Sequence, residues 1–184
     1  MIRPGDEPIG VVCGGSKSGK TSLAIAIGRA LRRDHGLRSL VFDPYSYKQE
    51  WGPWAWVTPD LAKFRAAVAG SHGCAVIWDE STLTLAAGTD DAEGFFTAIR
   101  HRHRAFFLVT HDVKKLSPTM RGSIDHAFIF RQTDERSRDW AGIFADNDLR
   151  QASQLNQYEF LAKKSFRPVV RHAPTAEELR SFRL

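Results

Sequence analysis

Five short runs in which almost every position is apolar divide the chain: Ile9–Cys13, Ser39–Phe42, Ala75–Trp78, 105–109 and His126–Phe130. They are too short for helices and do not alternate with polar residues. Such runs predict strands covered on both faces, as in a parallel sheet. Longer segments with apolar residues three and four apart lie between them. These predict helices over 20–33, stopped by Gly36, and over 58–69. The second would have Thr58 as its cap, Pro59 in its first turn and Gly70 as its stop. Further helices are predicted over 92–100, 134–144 and, briefly, 113–116. Strand and helix alternate almost throughout, so the fold class is α/β, a mostly parallel central sheet with helices on both faces and right-handed crossovers.

The one long irregular stretch is 43–57, which carries Tyr45, Tyr47, Trp51, Trp54 and Trp56. Its tryptophans read first as packing that holds the loop to the domain. Stacking on bases and a subunit contact are the other readings. From 147 onward the pattern weakens. It suggests a helix over 149–155, a hairpin across 158–170 and a short helix over 175–179. The last begins with the capping box Thr175-Ala176-Glu177-Glu178. The expected organisation is a core over 1–146 and an extension over 147–184 on the same domain.

A chain of 184 residues suits one domain. It holds no run of 18 apolar residues, so no transmembrane segment is expected. The N-terminus lacks an apolar signal core. Cys13 and Cys74 read as buried thiols in a reducing compartment, without metal-ligand spacing. The net charge of +5 permits contact with nucleic acid. The arginines cluster at Arg100, Arg102 and Arg104, at Arg131, Arg136 and Arg138, and in the tail.

The sharpest chemical signal follows the first strand. Gly14-Gly15-Ser16-Lys17-Ser18-Gly19-Lys20-Thr21 fits G-x-x-x-x-G-K-[ST] and stands between an apolar run and a helical segment. Glycines let successive N–H groups turn inward around phosphate oxygens, and the helix N-terminus adds positive charge there. Lys20 would reach the β- and γ-phosphates, Thr21 would offer its hydroxyl to Mg²⁺, and Ser22 would follow in the same site. Lys17 has two readings, contact with phosphate as part of the binding loop or, the first reading, solvation. The third strand ends in Asp79-Glu80. Asp79 could hold a hydrated Mg²⁺, and Glu80 could deprotonate an attacking water. That favours hydrolysis over transfer to a small acceptor. The fourth strand ends in Thr110-His111, and His111 could donate to the γ-phosphate or the water. The run Arg100-His101-Arg102-His103-Arg104 has two readings. It is a solvated helix end, or it supplies an arginine finger to a neighbouring subunit. Arg121 is a further candidate.

Together these stretches resemble the FtsK/HerA superfamily of P-loop ATPases, and more narrowly the poxvirus-type genome-packaging and Zot-like filamentous-phage ATPases. The resemblance rests on Gly14 to Thr21, Val41-Phe42-Asp43-Pro44, Val76-Ile77-Trp78-Asp79-Glu80, and the stretch 101–130 with its Arg-His-Arg, strand and Pro-x-Met-Arg pattern. It covers about 9–145. In that family the fourth strand often ends in Gln, where this chain has Thr110-His111. That ending is also similar to transporter-type ATPases, but no Leu-Ser-Gly-Gly-Gln signature accompanies it. The resemblance implies a RecA-like fold and an ATP- and Mg²⁺-dependent homo-oligomeric ring that moves DNA, with double-stranded DNA expected. A viral capsid or portal-like vertex would be its partner, and it would act in the host cytoplasm or at the virion vertex. Zot-like proteins usually continue into a membrane span, which this chain lacks, so packaging is the first expectation. A filamentous-phage assembly ATPase and a small-molecule P-loop kinase are the alternatives.

Overall fold

A computed structural model describes residues 8–45, 51–81 and 90–180, with backbone alone at 90–93, 100 and 180. Its elements are β1 (Ile9–Cys13), α1 (Lys20–His35), β2 (Ser39–Phe42), β3 (Ala55–Thr58), α2 (Leu61–Gly70) and β4 (Ala75–Trp78). They continue with α3 (Asp90–Arg102), β5 (Ala105–Thr110), a 3₁₀ turn (Val113–Lys115), α4 (Pro118–Gly122) and β6 (His126–Phe130). The chain ends with α5 (Asp134–Phe144), a 3₁₀ segment (Asn147–Gln154), β7 (Phe160–Lys164), β8 (Val170–His172) and α6 (Ala176–Arg180).

All five apolar runs are strands of one sheet, ordered β3-β2-β4-β5-β1-β6-β7-β8. The first six are parallel, while β7 and β8 add to β6 antiparallel. Side chains alternate across the sheet. Val11, Cys13, Val76, Trp78, Phe106, Leu108, Ala127 and Ile129 enter one core with residues of α2 to α5. Val12, Ile77, Phe107, Val109, Phe128 and Phe130 enter the other, beneath Leu23, Ile27 and Leu31 of α1. Trp78 is fully buried between Phe64 and Phe95, edge-on to both. Truncating such a residue to Ala costs about 3–5 kcal/mol.

The stretch 43–57 is less irregular than its composition suggests. Ala55–Thr58 forms β3, a sixth parallel strand on the sheet edge beside β2. Four residues flanked by Gly, Pro and Trp give too little pattern to see, and Trp56 faces solvent. Because Thr58 is spent on the strand, the α2 cap moves to Asp60, whose carboxylate accepts from the Lys63 N–H at 3.0 Å. Thr58 Oγ1 instead accepts from the Asp60 N–H at 3.1 Å. Trp51 and Trp54 do pack. The Trp51 Nε1 donates to Asp43 Oδ2 at 2.8 Å, and the two rings meet edge-on. Trp54 lies so close over α1 that a Cβ at Gly28 would fall 2.4 Å from its ring. Tyr47 lies outside the described residues. Cys13 is buried as expected, and its thiol is pushed up to about 12 by burial; Cys74 is only half-buried.

The tail hairpin and the capping box form where expected. Thr175 Oγ1 accepts from the Glu178 N–H at 3.2 Å, and Glu178 Oε2 accepts from the Thr175 N–H at 2.7 Å. Leu179 is buried with the α1 side of the core. At the end of α3, His103 is not solvated. It is buried, with Nε2 2.9 Å from the Val68 carbonyl, so the neutral tautomer carries its proton there.

Burial holds the imidazole of His103 below the ordinary value of 6.5, and burial does the same to His126. A folded-state value below the unfolded one means stability that is complete above 6.5 and lost as pH falls toward the folded value. Thermal unfolding from roughly pH 8 to pH 5 is expected to show a falling Tm below the ordinary His value. His103→Gln, which keeps a donor near Nε2 without a titrating ring, is expected to flatten that slope.

Candidate active site

The residues that matter chemically leave the C-terminal ends of three parallel strands. Gly14 follows β1 and donates its N–H to the Thr110 carbonyl of β5 at 3.3 Å. The loop then turns through Lys17 at φ 59° and Gly19 at φ 104°. Gly19 is the N-cap of α1, has no side chain to cap the helix, and is followed by no acidic residue in the first turn. The first amides of α1 are therefore left to an anion. A Cβ at Gly19 would lie 2.5 Å from Leu179 of α6 and 3.2 Å from the Tyr158 ring. That crowding, with the left-handed φ, requires glycine. The Ser18 hydroxyl is buried with no partner among the described residues.

Lys20 is buried and folds back to donate from Nζ to the Gly15 carbonyl at 2.8 Å. Burial lowers its pKa, while the charges of Glu80 and Asp79 act to raise it. Thr21 Oγ1 donates to Asp79 Oδ2 at 3.0 Å, and the Glu80 N–H donates to Asp79 Oδ1 at 2.8 Å. Asp79 is itself buried, and burial pushes its pKa from 3.8 to about 6 against those two hydrogen bonds. Glu80 stands at φ 52° in the left-handed region. That conformation costs about 1–2 kcal/mol for a residue with a Cβ and turns the chain sharply at the end of β4. Its Oε1 lies 3.0 Å from His111 Nε2.

Strand β5 sits between β4 and β1, so His111 stands between Glu80 and the phosphate loop. Arg136 of α5 donates to the His111 carbonyl at 3.3 Å and to Asp112 Oδ2 at 3.2 Å, which steadies this strand end. Ser16 to Ser22, Glu80 and His111 line one cleft of about 450 Å³, together with Gln157 and Tyr158. The facing hydroxyl and carboxylate of Thr21 and Asp79 are hard oxygen donors, and Asp79 is buried, where its charge gains from a cation. Both features fit Mg²⁺, which takes one or two protein oxygens and completes its shell with water and phosphate.

Gly14 to Ser22, Asp79, Glu80 and His111 thus meet at one edge. The arginine run does not. Arg102 and Arg104 precede β5, whose six residues put them about 20 Å away, at the opposite edge of the sheet. Arg102 donates to the Ala69 carbonyl at the end of α2. The Arg100 side chain lies outside the described residues. Arg121, in α4, likewise leads to the start of β6 at the far edge. Lys17 is exposed, as expected. Tyr158 and Gln157 were not singled out from the sequence, because nothing local to 157–158 marks a contact with residues 16–22, and Arg136 stood out only as one of a basic group.

No protein-family model matches the chain, and no curated protein does. Among solved structures it is similar to the genome packaging NTPase B204 from Sulfolobus turreted icosahedral virus 2 in complex with AMPPCP. The TM-score is 0.74 at 20% identity, over 92% of this chain and 98% of that one. It is also similar to the N-terminal domain of zonular occludens toxin from Neisseria meningitidis, with TM-score 0.58, 12% identity and 96% and 98% of the two chains covered. A third is the cytoplasmic domain of the Thermomonospora curvata Type VII secretion ATPase EccC, with TM-score 0.59 and 13% identity over 95% of this chain and 27% of that one. These likenesses show the fold, that of a RecA-like P-loop NTPase. Among the described residues no helix is long and apolar enough to cross a membrane.

A carboxyl whose pKa is raised on folding favours the protonated native state, so it removes stability as pH rises from 3.8 through about 6. In the metal-free protein at pH well above 6, Asp79→Asn is therefore expected to raise stability by about 1–3 kcal/mol. The gain should vanish toward the ordinary carboxyl value of 3.8. Urea unfolding of both proteins across that range measures it.

Proposed function

We propose that this protein is an ATP-hydrolysing motor that moves DNA and packages a viral genome. The observation that carries the reading is Glu80. Its carboxylate is swung into the cleft by a left-handed turn and paired with His111, facing the phosphate loop. ATP would lay its phosphates along the amides of Gly14 to Thr21, and Lys20 would exchange the Gly15 carbonyl for the β- and γ-phosphates. Thr21 and Asp79 would hold Mg²⁺, which neutralises charge on the phosphates when bound. Glu80 takes the proton of a water as its oxygen bonds to the γ-phosphorus and the bond to the β-phosphate oxygen breaks, giving ADP and phosphate. His111 would turn its N–H from Glu80 to the γ-phosphate, so arrival of the phosphate is felt at the base.

The neighbours support this reading. Solved forms of B204 hold AMPPCP and ATP-gammaS, and B204 is described as a DNA-packaging ATPase. The arginine run lies too far to serve the nucleotide of its own chain, so Arg100, Arg102 or Arg104 would act on a neighbour in a homo-oligomeric ring. For the same reason the run is no lid over its own site, and the kinase reading loses its main support. The excess of +5 and the exposed Arg102, Lys164 and Arg167 favour a DNA partner. The capsid vertex and host cytoplasm follow from packaging, and 147–184 is read as part of the same unit. The likeness to the zonular occludens toxin domain keeps filamentous-phage assembly as the second reading, for which a membrane partner would be diagnostic.

Glu80→Gln is expected to keep nucleotide affinity while lowering kcat by about 10²–10⁴-fold, measured by equilibrium binding and phosphate release. Unchanged turnover would remove Glu80 from the mechanism. Lys20→Ala should lose nucleotide binding. A protein with Arg100, Arg102 and Arg104 all replaced by Ala should bind ATP yet hydrolyse it poorly. Mixed with the Lys20→Ala protein, it should recover activity if the arginines act between subunits. Recovery absent at every mixing ratio would count against a shared site. DNA-stimulated ATPase activity tests the coupling to DNA.

A further inference from the structure

The phosphate loop accounts for one end of a nucleotide, and nothing in the motifs accounts for the other. We infer that Tyr158 is the platform on which the nucleobase stacks; the inference rests on the nucleotide reading above. Tyr158 lines the cleft just before β7, and in the sheet β7 lies on the other side of β1 from β4 and β5, whose ends carry Glu80 and His111. One ring edge lies over Gly19, at 3.2 Å from where a Cβ would be. The ring rests against the apolar cluster of Val12, Leu23, Phe130, Phe160 and Leu179, yet stays partly open to the cleft. An aromatic face backed by core and open on the other side accepts a base of any identity.

The segment that presents the ring is built to hold it. Asn156 to Glu159 form a turn closed by the Glu159 N–H donating to the Asn156 carbonyl at 3.3 Å. Glu159 Oε2 accepts from the Asn156 N–H at 2.8 Å and from Arg171 Nη2 of β8 at 2.7 Å. Tyr158 occupies the left-handed position of this turn, at φ 67°. Glycine or asparagine would adopt that conformation with less strain. A large aromatic residue held there, with its ring over the phosphate loop, points to a job for the ring rather than for the backbone. The fixed ring loses little freedom when a base lands on it.

The test compares Mg-ATP with Mg-tripolyphosphate, which has the phosphates and no base, by calorimetry on the full chain. Tyr158→Ala and Tyr158→Gly are expected to weaken ATP by about tenfold or more while leaving tripolyphosphate unchanged, and Tyr158→Phe to keep both. The glycine variant suits the left-handed backbone and guards against a result that reports misfolding. Unchanged ATP affinity in both variants overturns the inference. Equal weakening of both ligands also overturns it, since the ring would then only prop the loop at Gly19. Wild-type protein that binds tripolyphosphate as tightly as ATP removes the base subsite and leaves the phosphate site standing. Wild-type protein that binds neither ligand removes the nucleotide reading itself.

Discussion

Strand β1 is hydrogen-bonded along both edges, to β5 and to β6, and every residue in it is buried. The two parallel partners fix where β1 ends. Cys13 stands level with Thr110 and with Ile129, so the chain must leave the sheet beside the ends of β5 and β6. Parallel strands all release their C-terminal ends on one edge, and the helices that return the chain cover both faces. The phosphate loop, the Asp79-Glu80 pair and His111 converge because of this pairing, not because they lie near one another in the chain. A slip of one residue in β1 would exchange Val12 with Val11 and Cys13 between the two cores. The apolar packing on both faces thereby protects the registry of the site.

That packing also sustains the unfavourable terms concentrated at the edge. Asp79 and Lys20 are buried charges, and Glu80 and Tyr158 are left-handed backbones with side chains. The Ser18 hydroxyl and the first amides of α1 lack partners of their own among the described residues. The buried charges, the hydroxyl and the amides would be better satisfied by a ligand that brings phosphate oxygens to the amides and a cation to the carboxylate. Under the proposed reading, this arrangement is electrostatically prepared for a nucleotide, and preorganised groups need no reordering when charge develops. The fold tolerates the cost because two apolar cores flank the sheet.

How much of this was legible in the sequence depended on whether the signal was local. The five buried strands were readable because burial on both faces leaves an apolar run. The loop from Gly14 to Thr21 was readable because its glycines and lysine must stand at fixed spacing to wrap phosphate. Glu80 was readable from its place at the end of an apolar run. Strand β3 was hidden because an edge strand with one solvated face and only four residues leaves little pattern. The cap of α2 moved from Thr58 to Asp60 for the same reason. Contacts across long separations were invisible. Gly19 meets Tyr158 and Leu179, more than a hundred residues away, and neither residue carries a mark of that meeting in its own neighbourhood.

The arginine run lies at the starting edge of the sheet, and that location limits what it can do. Charges that precede a parallel strand stand a full strand length from groups that follow one. Within one chain, Arg102 and Arg104 therefore cannot approach a phosphate bound at Gly19, however their side chains rotate. Two chains change the geometry. If the starting edge of one sheet meets the finishing edge of the next, the contact uses different surfaces on the two copies. Such heterologous contacts close a ring where the rotation from copy to copy returns to its start. Under the proposed reading, completing the site and closing the ring are the same event. A subunit alone would bind nucleotide and hydrolyse it slowly, since the charge that develops on the γ-phosphate would lack its last cation until a neighbour docked.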